Sequence, residues 1–405
     1  MAARPAAVEM ALTSGFWRPS NARFLASQLA RRQRQTRVVD AKRIDAAAGW
    51  LARAQDANRD GGVSYAFRLR QGWGLSYPET TGYAVPTLLA LADHTGNPAS
   101  RARAERGVGF LLGLQLPGGA FPAGTLAARE RVPSVFNTGQ IINGLTAWYV
   151  AAADEGVRQA ACAAADWLLS VQDDDGAWRK HGYLAYPVTY TAHVSCWLAE
   201  LGSVLGESRY RDAAARHEDW VLAQQDPATG WFNRSGFQAK EHEQRIAITH
   251  TIAYTIWGLL HGGLILGRSE SVAAARRAAA RVAAVACTEG RLPGMLDSAW
   301  QPRSSWECLT GNAQMALVWM RLADMEPDDQ MERAAHACLA RICDVQSLDD
   351  PNPGIRGAVP GSRPVWGGYF PFEFPNWGAK FFVDALLARG RRPQNEAGLP
   401  ETAGR

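Results

Sequence analysis

"TTGYAVPTLLALA", residues 80–92, begins with polar residues and then continues with no charge at all. A helix that is apolar nearly all round has to be enclosed by other helices. The arrangement returns as "NTGQIINGLTAWY" (137–149), "YTAHVSCWLAELG" (190–202), "HTIAYTIWGLLHGG" (250–263), "LTGNAQMALVWMRLA" (309–323) and "NWGAKFFVDALLA" (376–388). Their second residues, Thr81, Thr138, Thr191, Thr251, Thr310 and Trp377, are separated by 57, 53, 60, 59 and 67 positions. Self-similarity at a near-constant period is the mark of a repeat architecture.

Each apolar segment follows an amphipathic one, from "AKRIDAAAGWLARAQD" (41–56) to "DQMERAAHACLARICDVQ" (329–346). Apolar residues at i, i+3, i+4 and i+7 with charge opposite describe a helix with one wet face. A glycine-centred turn such as "DDDGAWRK" stands between the two helices, where glycine supplies the positive φ that stops a helix. Thr or Asn at the start of each apolar helix is expected to cap its free amides. Six alternations predict an all-α (α/α)6 toroid with six inner and six outer helices, rather than an open solenoid. The boundaries expected are an amphipathic lead-in at 1–38, one barrel domain at 39–390 and a disordered tail at 391–405.

The chain has 405 residues, 47% apolar, with a net charge of +4. The basic residues are spread along it, which argues against nucleic acid as a partner. No stretch approaches 18 uninterrupted apolar residues and the N-terminus lacks the order of a secretory signal, so a cytoplasmic protein without a transmembrane segment is expected. Six cysteines lack a paired framework and read as buried thiols. Only "HACLARIC" (His336, Cys338, Cys343) resembles metal ligands, and no second ligand pair follows it. No metal or cofactor is expected.

The outer-helix ends "WLARAQDANRDGG" (50–62), "FLLGLQLPGGAF" (110–121), "WLLSVQDDDGAW" (167–178) and "WVLAQQDPATGWF" (220–232) resemble the Gln-to-Trp repeats of the terpenoid cyclase and protein prenyltransferase toroid superfamily. The stretch from Asp60 to Ala92 resembles, more loosely, toroid proteins of bacterial surface-polysaccharide biosynthesis. The first likeness implies the fold more than the chemistry. A hydrocarbon cyclase needs acidic clusters, yet "QDDDGAW", "PDDQMER" and "SLDDPNPG" all fall at outer-helix boundaries, where caps and turns explain them.

In a closed toroid the loops entering the inner helices converge at one mouth, towards which six helix N-termini point. That mouth would collect Trp73, Tyr77, Glu79, Arg131, Phe136, Asn137, Gln140, Tyr186, Tyr190, His193, His250, Trp306, Glu307, Asn312, Trp366, Tyr369, Glu373, Asn376 and Trp377. Flat aromatics beside carboxylates, amides and imidazoles suit a sugar. Glu79, Glu307, Glu373, His193, His250 and Tyr190 are the catalytic candidates, since partial burial raises a carboxyl pKa into the range of a general acid. Each also has a structural reading as a cap, a loop tie or a satisfied core group.

The function expected is a carbohydrate-active enzyme of bacterial surface-polysaccharide metabolism, acting on an acidic glycan by lyase, C5-epimerase or hydrolase chemistry. Toroids of this kind include polysaccharide lyases, unsaturated glucuronyl hydrolases and glucuronyl 5-epimerases. Two alternatives stay open: a terpenoid cyclase or prenyl-transferring enzyme, and a glycan-binding toroid without catalysis.

Overall fold

A computed structural model describes residues 14–29, 39–127, 130–237 and 245–392. Most of the 1–38 lead-in and nearly all of the 391–405 tail lie outside these residues. The lead-in helix α1 (Pro19–Leu29) is described. Six outer helices follow: α2 (Asp40–Asp56), α4 (Pro98–Leu112), α6 (Glu155–Ser170), α8 (Ser208–Leu222), α10 (Ser269–Glu289) and α12 (Asp329–Val345). Alternating with them are the inner helices α3 (Pro78–Thr95), α5 (Val135–Ala152), α7 (Ala192–Leu205), α9 (Thr249–Leu266), α11 (Leu309–Met325) and α13 (Asn376–Arg391). Each inner helix packs on the next, and α13 packs on α3 and α2, so the ring is closed. This is the (α/α)6 toroid that the repeat predicts.

The tight hairpins run from inner to outer helix. Gly96, Gly206 and Gly267, all in the left-handed region, end α3, α7 and α9, and the next outer helix begins within two residues. The longer outer-to-inner connections gather at the opposite end and make the mouth. Small antiparallel pairings brace them, one within a connection and the others between neighbouring connections. β1 (Ala66–Arg68) bonds β2 (Gly72–Trp73), β3 (Ile246–Ile248) bonds β4 (Met295–Asp297), and β5 (Glu307–Cys308) bonds β6 (Ser362–Arg363). β7 (Glu373–Pro375) pairs with β1 and so ties the last connection to the first.

The inner-helix threonines do something other than cap. Among the described inner helices only Ser134, on Asn137 N–H, provides a side-chain cap. Thr81 and Thr138 lie inside the first turn, where their hydroxyls accept the N–H of Val63 and Phe121 from the preceding connection, at 2.9 and 3.0 Å. They bind loop to helix.

The glutamines of the outer-helix ends have a common job. Gln55, Gln115, Gln172, Gln225 and Gln346 each donate from Nε2 to the carbonyl of a turn glycine (Gly61, Gly119, Gly176, Gly230 and Gly357). The same nitrogens reach a carbonyl of the next outer helix: Arg103, Ala160, Ala213, Ala274 and, across the chain closure, Arg43. All five glycines have positive φ. A Cβ on Gly176 would fall 2.3 Å from Arg216 O, so the turn presses directly on the neighbouring helix. Only glycine combines that φ with that approach.

Removing one staple should therefore weaken the ring measurably. Gln172→Leu leaves the Gly176 and Ala213 carbonyls without this donor, and Gly176→Ala adds a clash; each should cost about 2–4 kcal/mol. Urea unfolding would test this, and midpoints equal to the parent's for both variants would contradict a stapling role.

Candidate functional site

A cavity of about 650 Å³ occupies the mouth. Tyr77, Glu79, Phe136, Asn137, Tyr190, His250, Tyr369 and Trp377, all expected there, line it. Glu79 is the one carboxylate among the described lining residues. It sits in the first turn of α3 with Pro78, whose fixed φ suits a helix start. Tyr77 Oη donates to Glu79 Oε2 at 2.6 Å, and among the described residues Oε1 has no hydrogen bond. Burial disfavours the charged form and lifts the Glu79 pKa to about 7, although the Tyr77 hydrogen bond pulls the other way.

Around this carboxyl stand phenols that stay protonated. Burial raises Tyr77, Tyr83, Tyr254 and Tyr369 well above the ordinary tyrosine value, and Tyr190 is raised by burial and then by Glu79. Trp377 Nε1 donates to Tyr369 Oη at 2.8 Å, and Asn137 Nδ2 to Pro122 O at 2.8 Å, which fixes both side chains on the wall. His250 lies between the rings of Tyr254 and Tyr369, with centroids 4.4 and 5.5 Å away. Its Nδ1 is 2.8 Å from Gln314 Oε1. An amide oxygen can only accept, so Nδ1 carries the proton and Nε2 is left as the basic atom. Burial lowers the His250 pKa to about 4, which keeps the ring neutral.

The remaining expected residues lie elsewhere. Trp73 packs on Trp50 and Phe67, with centroids 5.1 and 5.2 Å away. Glu307 is gripped by Arg341 through two 2.5 Å bonds and also receives Asn312 Nδ2 at 3.3 Å, which makes a buried tie between α12 and β5. Glu373, on β7, is beside Arg68 and Tyr65, with its pKa raised chiefly by burial. Asn376 Nδ2 bonds Ser64 O and Thr80 Oγ1, which joins the last inner helix to the first unit. Gln140 Oε1 meets His193 Nδ1 at 2.8 Å below the mouth. Trp306 is half-buried against Gly294 and Gly368, and Trp366 packs with the cluster around Trp50. Tyr186 lies under the Arg234 guanidinium at 4.8 Å, and Arg131 is exposed next to Val132, whose carbonyl accepts the Ala123 N–H.

Pattern reading misses Tyr83, Tyr254, His181, Tyr183, Leu184, Phe237 and Phe370, which also line the cavity. Tyr83 and Tyr254 follow Glu79 and His250 by four residues, the spacing that keeps one helix face, so that signal was present. His181 and Leu184 have positive φ in a loop without repeat character, and nothing in the sequence marks them. The acidic runs keep to the periphery: Asp173 and Asp175 pair with Arg179, Asp328 caps α12, and Asp350 accepts Asn352 N–H. Among the described residues no group of three or more His, Cys, Asp or Glu could hold a metal ion, and no helix is long and apolar enough to cross a membrane.

Comparison with solved structures finds the same toroid in unsaturated glucuronyl hydrolase from Bacillus sp. GL1, at 19% identity and a TM-score of 0.69, over 87% of this chain and 97% of that one. Cellobiose 2-epimerase from Bacillus thermoamylovorans B4167 matches at 12% identity and a TM-score of 0.66, over 84% and 95%. A sugar epimerase from a ruminal bacterium matches at 10% and 0.69, over 87% and 99%. At these identities the likeness establishes the fold. A search of curated proteins finds no match. Residues 12–282, about two thirds of the chain, match the family described as β-L-arabinofuranosidase, GH127 catalytic domain, and the chain belongs to that family of carbohydrate-active enzymes.

Proposed function

We propose that the mouth cavity is the active site of an enzyme that removes the terminal sugar of an acidic glycan of bacterial surface polysaccharide, with Glu79 as the proton donor. One observation carries this reading: a single carboxyl, held near neutrality by burial, in a cage of protonated tyrosines. Ordinary glycoside hydrolysis uses two carboxylates. A terminal unsaturated uronate, the substrate type named in the glucuronyl hydrolases that share this fold, asks for less. Its ring carries an enol ether between C4 and C5, and one acid suffices.

Glu79 gives its proton to C4, and positive charge develops at C5 and the ring oxygen. Water adds to C5 and returns a proton to the Glu79 carboxylate, so the net change is one water consumed. The hemiketal opens at the ring oxygen and leaves C1 as a hemiacetal that releases the next sugar. Tyr77 holds Oε2 and leaves Oε1 towards the substrate. Tyr190, Tyr369 and Trp377 offer flat faces to the ring, and Asn137 offers an amide. Tyr183, Leu184 and Phe237 are exposed at the rim, where a second sugar of the chain would cover them. Six free cysteines suit a reducing compartment, so the cytoplasm is the compartment we assign.

A second reading has an observation of its own. No Lys or Arg is among the described lining residues, and this favours an uncharged furanoside such as the family description names. Parallel assays on Δ4,5-uronate-capped disaccharides, monitored by loss of enol-ether absorbance, and on arabinofuranosides decide between the two. Turnover of arabinofuranosides alone would overturn the uronate reading.

Glu79→Gln should abolish turnover of the preferred substrate, by about 10²–10⁴-fold, while binding persists. Unchanged turnover would remove Glu79 from the mechanism. The same variant has a stability signature. A carboxyl whose folded pKa lies above its unfolded value stabilises the fold below pH 4.5, and that contribution is lost as pH rises through about 7. Glu79→Gln should therefore be more stable than the parent at pH 8, by about 3 kcal/mol, with the gap closing towards pH 4.5. Tyr77→Phe removes the bond that favours the carboxylate, so the alkaline limb of the pH–rate profile should move upward. A limb that stays in place would separate Tyr77 from that titration.

A further inference from the structure

A second cavity, about 340 Å³, lies further along the bore, towards the C-terminal ends of the inner helices. Tyr83, Tyr254 and Phe381 form a partition between it and the mouth, with ring centroids 5.7 Å apart for Tyr83–Phe381 and 6.1 Å for Tyr254–Phe381. Neither the family match nor the proposed chemistry accounts for it.

Its walls hold polar groups that the protein leaves unused. Asn143 is 6% exposed, and its side-chain amide makes no hydrogen bond within the protein among the described residues. Gln314 spends its oxygen on His250, while its amide nitrogen makes no hydrogen bond among the described residues. Both amides line the cavity, where a ligand or water can meet them. Two flat surfaces, Trp197 and Trp257, stand beside these amides. Glu200 reaches the cavity with His261, at 3.3 Å, as its only partner among the described residues.

The charges in this cavity nearly cancel. Lys380 is paired with Asp384 at 2.7 Å, and its ammonium lies 4.0 Å from the Phe381 centroid. Asp384 also accepts from Thr87 at 2.8 Å. Arg391 at the open rim balances Glu200. An anion would meet two carboxylates and a cation would meet Lys380 and Arg391, whereas hydroxyls can donate to the first and accept from the second. Indole faces cover the C–H side of a pyranose ring.

We infer that this second cavity is a binding site for one neutral monosaccharide, held against Trp197 and Trp257 by Asn143, Gln314, Glu200 and Asp384. It is separate from the mouth, and the inference does not depend on which substrate the mouth takes.

Calorimetric titration of the full-length Glu79→Gln protein with D-glucose, D-galactose and D-mannose tests this, with D-glucuronate and D-glucosamine as charged comparisons. One neutral sugar should bind at a single site, and Asn143→Leu and Glu200→Gln, each added to Glu79→Gln, should weaken it about tenfold. Glu200 is partly exposed, so its isosteric change should leave the fold intact if the Leu variant does not fold. The site would be overturned by no saturable neutral-sugar binding up to about 100 mM. Preference for either charged sugar would overturn it too, as would binding that survives both changes, which would belong to the mouth.

Discussion

A ring of helices holds only if each outer helix is fixed to the next, and here one side chain does this five times. Each staple glutamine sends two hydrogens, one to its own turn and one to the neighbouring outer helix. Helical carbonyls keep a second lone pair after bonding within the helix, so the neighbour loses nothing by accepting. Arginines of that neighbour return the contact on the glutamine oxygen, as Arg216 does on Gln172 at 3.0 Å and Arg277 on Gln225 at 2.6 Å. The fifth staple, Gln346 to Arg43, joins the last outer helix to the first. Between α10 and α12 no such glutamine stands; Trp319 Nε1 instead binds α11 to Ala279 of α10 at 2.9 Å.

Closure dictates where chemistry can occur. Alternating inner and outer helices make all six inner helices parallel, so their N-termini and the long connections meet at one end. The helix ends favour negative charge there, while the aromatic walls oppose it by excluding water. For Glu79 the walls win and the carboxyl is half ionised near neutral pH. Glu307, by contrast, is engaged by Arg341 and Arg363 and serves as a structural tie. A carboxyl without a cation is strained where it stands, and that is what makes it a ready proton donor.

Most of the fold was legible because burial and period are local signals. Apolar segments repeating every 53 to 67 residues leave few other ways to cover them. The site was legible only in part. Glu79, Tyr77, His250 and Trp377 follow from lying at inner-helix entrances, and all four reach one cavity. Glu307 and Glu373 have the same sequence character, yet arginines 34 residues downstream and on another strand decide their fate. Side-chain partners distant in sequence leave no pattern. The function of the Gln-to-Trp ends was equally hidden: the motif announces the toroid, while the reason for its glutamine is a carbonyl on the next repeat.

The two histidines near inner-helix entrances, His193 and His250, illustrate how finely register matters. Relative to the aligned threonines, His250 precedes Thr251 by one residue and His193 follows Thr191 by two. Three residues of helix amount to about 4.5 Å along the axis. His250 therefore opens on the mouth, whereas His193 sits deeper and lines the second cavity, with its ring 4.2 Å from Tyr254. Each is locked by a glutamine of a neighbouring inner helix, Gln314 or Gln140, so neither can swing to the other side without breaking a buried bond. His193 and His250 therefore line different cavities. Among the described lining residues, the groups besides the tyrosines that can move a proton at the mouth are Glu79, His250 and His181, and burial favours the neutral form of each.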